Sequence, residues 1–459
     1  MKKKNGFIKF IFTVLLIGII AGGGFVLLSP QFEQNKPVIK LNSNQFWNLK
    51  DKISLDLSDA SGIKYYKVTF IDGTKEIIMD EKILSNPSKK LALKLNPPKL
   101  DMFYKGVAVK IKVEATDNSK WNFLNGNSVV KVFDIKIDNK KPVANVVENS
   151  RYIREGGSAV VVVKVKDDNL ADAYITFNDE IKFKLIPFYK KNYYVALIAW
   201  DISIPYEDFD RVSLVAIDKA GNKTTAKVPL YIQKLKIKKD NIKISKKFIE
   251  DVSTHVLEQM SMDVPSDLVS RFIEQNSKLR AQNIATIKKT VMDNFDIQMV
   301  NSLNINRFKR LRGSKTVAGF AERRSYYFDG EKIDEQWHLG LDMASVRQAP
   351  IKVSNRGKVI FNNYLGIYGN TIIIDHGMGL SSLYAHTTNQ YVNIGEDVKA
   401  NQKIATTGTT GAVMGDHLHF GILVQGIEVN PIEWMDRNWI RTRITNILKK
   451  SKKAIDLDR

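Results

Sequence analysis

Gly415-Asp416-His417-Leu418-His419-Phe420 and His338-Leu339-Gly340-Leu341-Asp342 stand in the last third of a 459-residue chain that has six histidines in all. A strand alternates its side chains, so the HxH at 417–419 puts both imidazoles on one face. The even separation in HxxxD keeps both groups on one face of a strand, and on a helix it pairs them at i, i+4. Two imidazoles and one carboxylate make a catalytic zinc set that leaves a fourth position for water. One HxH histidine is then left over, as is His386 in Leu383-Tyr384-Ala385-His386, and both stand as free bases. Working outward, short apolar runs alternate with glycines at 357, 366, 369, 377, 379, 395, 408 and 411. That punctuation predicts an antiparallel β domain around the motifs.

Together, His338–Asp342, the Tyr-Ala-His at 384–386 and 415–420 resemble the signature of the lysostaphin-like (LytM-type) zinc endopeptidases. Gly357-Lys358-Val359-Ile360, the run 371–375 ending in His376-Gly377, and Asn430-Pro431 match as well, so the resemblance covers roughly 300–436. It implies one zinc ion held by His338, Asp342 and His419, with His386 and His417 as the two catalytic histidines that are not ligands. It also implies hydrolysis of peptide bonds in peptidoglycan. Asp416 and Tyr384 are candidates for orienting these groups. His376 falls in a turn that the family does not use as a ligand, and His255 has no partner motif; both read as structural. Some relatives of this family lose their ligands and only activate other wall hydrolases, whereas this chain keeps every one.

The chain carries a formal charge of +21 and no cysteine. Without cysteine there are no disulfides and no thiolate zinc sites. A basic chain often binds nucleic acid. Here the lysines are spread along the whole length with no helix-turn-helix, RNP-like or zinc-finger spacing, so no nucleic-acid partner is expected, and an anionic envelope surface suits the charge equally.

At the N-terminus, Met1-Lys2-Lys3-Lys4 precedes an apolar run from Phe7 to Leu28, long enough to cross a hydrocarbon core at about 20 residues. The lysines favour a cytoplasmic N-terminus. A cleaved signal peptide would use Ile8–Ile20 and the small residues 21–24. No A-x-A site is present and the run resumes at Phe25, so we read an uncleaved anchor over 1–30. Lys36-Pro37-Val38 recurs as Lys141-Pro142-Val143, and Tyr66–Phe70 as Tyr174–Phe177. With a period near 100 residues, these repeats predict two immunoglobulin-like sandwiches over 36–138 and 139–233. Asp117 and Asp218, each with asparagine nearby, read as turn residues rather than calcium ligands. Helix formers dominate 234–299, with Val252, Val256 and Met260 on one stripe, Leu268, Val269, Phe272 and Ile273 on a second, and Ile284, Ile287 and Val291 on a third. The peptidase domain follows over 300–436, and a basic helix over 437–459 is expected to lie solvated on the surface.

The expected fold is therefore mainly β: a transmembrane helix, two sandwiches, a helical segment and an antiparallel β metallopeptidase domain. The expected function is that of a single-pass protein of the bacterial inner membrane. Its zinc endopeptidase would face the periplasm and cut peptidoglycan cross-links as a D,D-endopeptidase, with envelope proteins as possible partners of the sandwiches. The alternatives are a silent scaffold that activates another hydrolase and a protease of secreted proteins. A further expectation is that the segment 246–295, or a loop over 323–334, covers the groove.

Overall fold

A computed structural model describes residues 4–42, 45–101 and 104–458. The chain divides into two compact units.

The first unit holds residues 1–142 with 167–171 and 217–223. It begins with helix α1 (Lys4–Leu28), whose residues 6–28 are long and apolar enough to cross a membrane. Lys2 and Lys3 lie outside the described residues. Its sheet has six strands. Four of them are β1 (Ile53–Asp72), β2 (Lys75–Leu95), β3 (Ala108–Asp117) and β4 (Ser128–Ile137). Period-two patterning sets the register: Ile53, Leu55 and Leu57 of β1 and Val109, Ile111 and Val113 of β3 are all buried in one core with Trp47 and Phe70. Asp117 behaves as a turn clamp, accepting from the Ser119 amide at 3.0 Å, the Asn127 amide at 2.8 Å and Asn127 Nδ2 at 2.8 Å. Asp218 repeats the device, accepting from the amide and the Nδ2 of Asn222, both at 2.8 Å.

The second unit holds residues 143–166, 172–216 and 224–459. Its first part carries two four-stranded sheets. In one of them β5 (Val143–Asn149), β6 (Ser158–Lys166) and β7 (Tyr193–Ala199) pair antiparallel. The run Ala159–Val163 is fully buried without alternation. Part of its cover is the C-terminal helix Asn446–Leu457, which packs on β5 and β6 with Ile447, Leu448 and Ile455 buried. The tail is thus a docked helix rather than a solvated one: the lysines occupy one side and the aliphatic residues the other, at helical spacing. Asp458 accepts from Tyr193 Oη at 2.6 Å and from Lys164 Nζ at 2.7 Å at its end.

Strand β8 (Lys239–Lys243) leads into helices that include α2 (Leu268–Ile273) and α3 (Arg280–Asp293). Asp267 caps α2 by accepting from the Ser270 amide at 2.8 Å, a role its short carboxylate suits. Residues 323–334 are not a loop. They belong to a hairpin of β9 (Glu322–Phe328) and β10 (Glu331–His338), closed by Asp329 and Gly330 with φ of 49° and 89°. Asp-Gly is the pair that tolerates positive φ at both central positions of a two-residue turn. Strand β8 runs parallel beside β9.

An eight-stranded sheet completes the unit. It contains β11 (Leu341–Ala344), β12 (Gly357–Tyr364), β13 (Asn370–Asp375), β14 (Leu380–Ala385) and β15 (Leu418–Val424). The order runs β11, β15, β14, β13, β12, with every neighbouring pair antiparallel. Strands β14 and β15 are buried along their whole length. On one face Ile373, Leu383 and Leu423 share a core with Leu279, Ile287 and Val291 of the helical segment.

Candidate metal centre

The His338–Asp342 motif does not lie on a single strand or helix. His338 ends β10, the chain turns through Leu339 and Gly340, and Asp342 sits in β11. The turn is tight against β15: a Cβ on Gly340 would meet His419 Nε2 at 2.5 Å and the Phe420 carbonyl oxygen at 2.9 Å. In register, Asp342 faces His419 and His419 faces Ala385. All three therefore point to the side of the sheet that carries Leu383 and Leu423. His417, just before β15, reaches the same place.

The donor atoms converge. His338 Nε2 lies 3.0 Å from Asp342 Oδ2 and 3.1 Å from His419 Nδ1, and His419 Nδ1 lies 2.8 Å from Asp342 Oδ1. One ligand atom from each residue lies within 4.8 Å of the other two, and all three residues are buried. His338 Nδ1 donates to the Gly319 carbonyl at 2.6 Å, which leaves its Nε2 lone pair for the cluster. Burial raises the Asp342 carboxyl, but the His338 and His419 imidazoles beside it outweigh that and hold it well below the usual range. Burial pushes His419 down to about 4 against the opposing pull of Asp342. Two imidazoles and an ionised carboxylate, with a backbone carbonyl behind one ligand, suit a divalent cation such as zinc.

The two remaining histidines are tied in the same way. His386 Nδ1 donates to the Thr410 carbonyl at 2.9 Å and His417 Nδ1 to the Gly415 carbonyl at 2.7 Å. Each keeps an Nε2 lone pair. The rings stand 4.9 Å apart, and His417 Nε2 is 3.7 Å from Asp342 Oδ1. Burial, with His417 and His419 next, pushes His386 well below its ordinary value, so it stays neutral. Its backbone is held at a φ of 58°, a left-handed conformation that costs a histidine about 1–3 kcal/mol. The Thr410 carbonyl is delivered by a crossing of two glycines: a Cβ on Gly411 would meet the Gly369 amide nitrogen at 2.4 Å.

The five residues that the sequence singles out line one cavity of about 490 Å³. Asp416 lines it too, accepting from the Gln348 amide at 3.0 Å and from Thr407 Oγ1 at 2.5 Å. Tyr384 does not. Alternation along β14 turns it to the opposite face from Ala385, where its ring lies 5.3 Å from Phe420. His376 is held by the Arg356 carbonyl at 2.7 Å and Ser382 Oγ at 2.8 Å, away from the cluster. His255 is exposed on its helix. Arg324 went unread in the sequence although its Nη2 lies 3.5 Å from Asp342 Oδ2. So did Tyr368, whose ring meets His419 edge-on at 5.4 Å. Only the hairpin turn could have placed Arg324, and nothing local marks Tyr368. The helical segment contributes Phe272, Gln275, Asn276 and Arg280 as a wall of this cavity. It shares a core with the sheet.

Residues 336–431 match the model of peptidase family M23. The chain is 43% identical over 95 residues to the lipoprotein NlpD of Yersinia enterocolitica, covering 20% of this chain and 97% of that protein. It is 40% identical over 102 residues to the murein hydrolase activator NlpD of Escherichia coli, covering 22% and 27%. With the DD-carboxypeptidase/endopeptidase Mpg of Neisseria meningitidis serogroup B it shares 34% over 95 residues, covering 21% and 22%. The chain thus spans nearly all of the first relative and less than a third of the other two. A 43% match across 97% of a relative, with the family model matching the 336–431 stretch that holds the His–Asp–His cluster, places this chain in peptidase family M23.

Proposed function

We propose that this chain is a membrane-anchored zinc endopeptidase that hydrolyses peptide cross-links of peptidoglycan as a D,D-endopeptidase. The observation that carries the reading is the convergence of His338, Asp342 and His419 with two further imidazoles, His386 and His417, that present Nε2 lone pairs to the same cavity. Zinc, when bound, polarises a carbonyl and lowers the pKa of a bound water from about 15.7 toward about 7. The chain's own residues do the remaining work. One of the two Nε2 atoms takes the proton of the attacking water. The other donates to the carbonyl oxygen as charge grows there only once its Nε2 carries a proton, and the proton taken from the water passes to the amine nitrogen as the C–N bond breaks. The Nδ1 contacts to Thr410 and Gly415 leave Nε2 of each imidazole as the atom that accepts a proton.

Helix α1 is the proposed inner-membrane anchor, taking the place of the lipid in relatives named lipoproteins, since this chain has no cysteine to acylate. The β-rich segments 36–138 and 139–233 are proposed as immunoglobulin-like spacers in the periplasm that also offer surfaces to envelope partners. The relative named as an activator favours a second reading, in which the same domain switches on another wall hydrolase. Incubating the full chain in detergent with a purified cross-linked muropeptide dimer, while measuring its metal content, separates the two. The endopeptidase reading expects monomers from a zinc-loaded chain, and far fewer from His417→Ala with its zinc retained. Zinc-loaded chain that leaves the dimer intact yet stimulates an added amidase supports the activator.

A further inference from the structure

Arg280 and Arg324 approach the cavity from different elements, the start of α3 and the middle of β9, and both line it with the four histidines of the cluster. Among the described residues Arg280 pairs with no carboxylate, and Arg324 meets only two, each held more closely by another group. Arg280 donates from Nε to the Asn276 carbonyl at 2.9 Å and from Nη2 to Asn276 Oδ1 at 2.7 Å, both neutral acceptors. Among the described residues no carboxylate comes within ion-pair distance of it. Arg324 reaches Asp342 Oδ2 only at 3.5 Å and Glu322 Oε2 at 3.8 Å, and its buried Nε has no partner. The cavity's two acids are already engaged, Asp342 by His338 and His419, and Asp416 by Gln348 and Thr407. Each guanidinium closes part of its hydrogen bonding on the protein, Arg280 on Asn276 and Arg324 on Asp342, yet among the described residues neither meets a carboxylate closer than 3.5 Å. Planar forks of this kind match a carboxylate better than any other peptide group.

We propose that Arg280 and Arg324 form a carboxylate subsite that selects peptides carrying a free carboxylate next to the scissile bond. This rests on the peptide-hydrolase reading above and deepens it: the helical segment supplies substrate recognition as well as a wall. Arg280 lies on the helical wall, and Arg324 stands beside Asp342. The pair therefore holds the charged end of the substrate, while the apolar lining from Phe272, Ile242 and Ile244 excludes water around it.

The test compares a muropeptide dimer bearing free carboxylates with the same dimer amidated, using the full chain in detergent. Calorimetric binding is measured with a chelator present to stop turnover, and hydrolysis with zinc. The wild-type chain should prefer the free acid by roughly 10- to 100-fold, the scale of a truncated charge pair. Arg280→Gln should bring that ratio close to one through KM rather than kcat, and Arg280→Lys should restore part of it. A merely structural role would weaken both substrates alike and leave the ratio unchanged. Equal affinity of the wild-type chain for the two dimers, or a preference that survives Arg280→Gln, overturns the subsite. Absence of hydrolysis with the binding preference intact would count against the endopeptidase reading and leave the subsite standing.

Discussion

At the scale of the residue, His386 combines a buried, neutral imidazole with a left-handed backbone at a φ of 58°. Glycine takes that φ without steric cost, whereas alanine does not. His386→Gly should therefore be more stable than His386→Ala by about 1 kcal/mol, read from chemical denaturation midpoints. Both should lose activity by about 10²- to 10⁴-fold, the usual worth of a general acid or base. Equal midpoints would mean that the backbone relaxes once the imidazole is gone. Strand alternation makes the facing of the HxH pair legible in the sequence, whereas the convergence of His338, Asp342 and His386 on that pair is read from the family resemblance. What holds them is legible in neither. The Gly319, Thr410 and Gly415 carbonyls that set three imidazole tautomers belong to the backbone and leave no residue signature.

At the scale of the element, the turn at Leu339-Gly340 shows why the HxxxD spacing works although it spans two strands. The chain reverses over His419 with no room for a side chain, since a Cβ on Gly340 would fall 2.5 Å from His419 Nε2. Gly340→Ala should push the His419 ring out of register with Asp342. The expected result is a loss of about 1–3 kcal/mol in stability and a metal affinity weaker by about 10- to 100-fold, measured by competition with a chromophoric chelator. Unchanged affinity would show that the ring has slack the packing does not suggest. The hairpin of β9 and β10 was missed for a different reason. Its strands read as polar because their side chains are charged, and the Asp329-Gly330 signal was passed over inside what looked like a polar insertion. The helical stripes were easier: Val256, Phe272, Ile287 and Val291 are buried at the spacing that predicts them.

At the scale of the molecule, the second unit is joined through a buried acid. Glu433, in the short helix Pro431–Met435, accepts from the Ser158 amide at 3.1 Å, and Trp434 Nε1 donates to Ser158 Oγ at 3.0 Å. Burial raises the Glu433 carboxyl to about 7, with the Ser158 amide opposing. Its folded value lies above the ordinary 4.5, so the folded chain holds a proton that the unfolded chain releases. Its contribution to stability is then full below about pH 4.5 and is lost as pH rises toward 7. Glu433→Gln keeps an acceptor for Ser158 without that proton. The variant should match the wild type in unfolding free energy near pH 4.5 and exceed it above pH 7 by an amount on the order of 1–3 kcal/mol, read from chemical denaturation. A wild type that stays level with the variant across that window would refute the buried-acid account. No periodicity in the sequence announced this joint, nor the docking of the last helix on β5 and β6, because both depend on which apolar faces meet across more than 250 residues.

The measurement that bears most directly on the proposed function is digestion of purified sacculi by the full chain in detergent, with and without chelation of zinc. His338→Ala and His417→Ala are run in parallel, and the released muropeptides are identified by mass. The account predicts loss of cross-linked dimers that requires zinc and both histidines. Dimers that survive intact with a folded, zinc-loaded chain would contradict it.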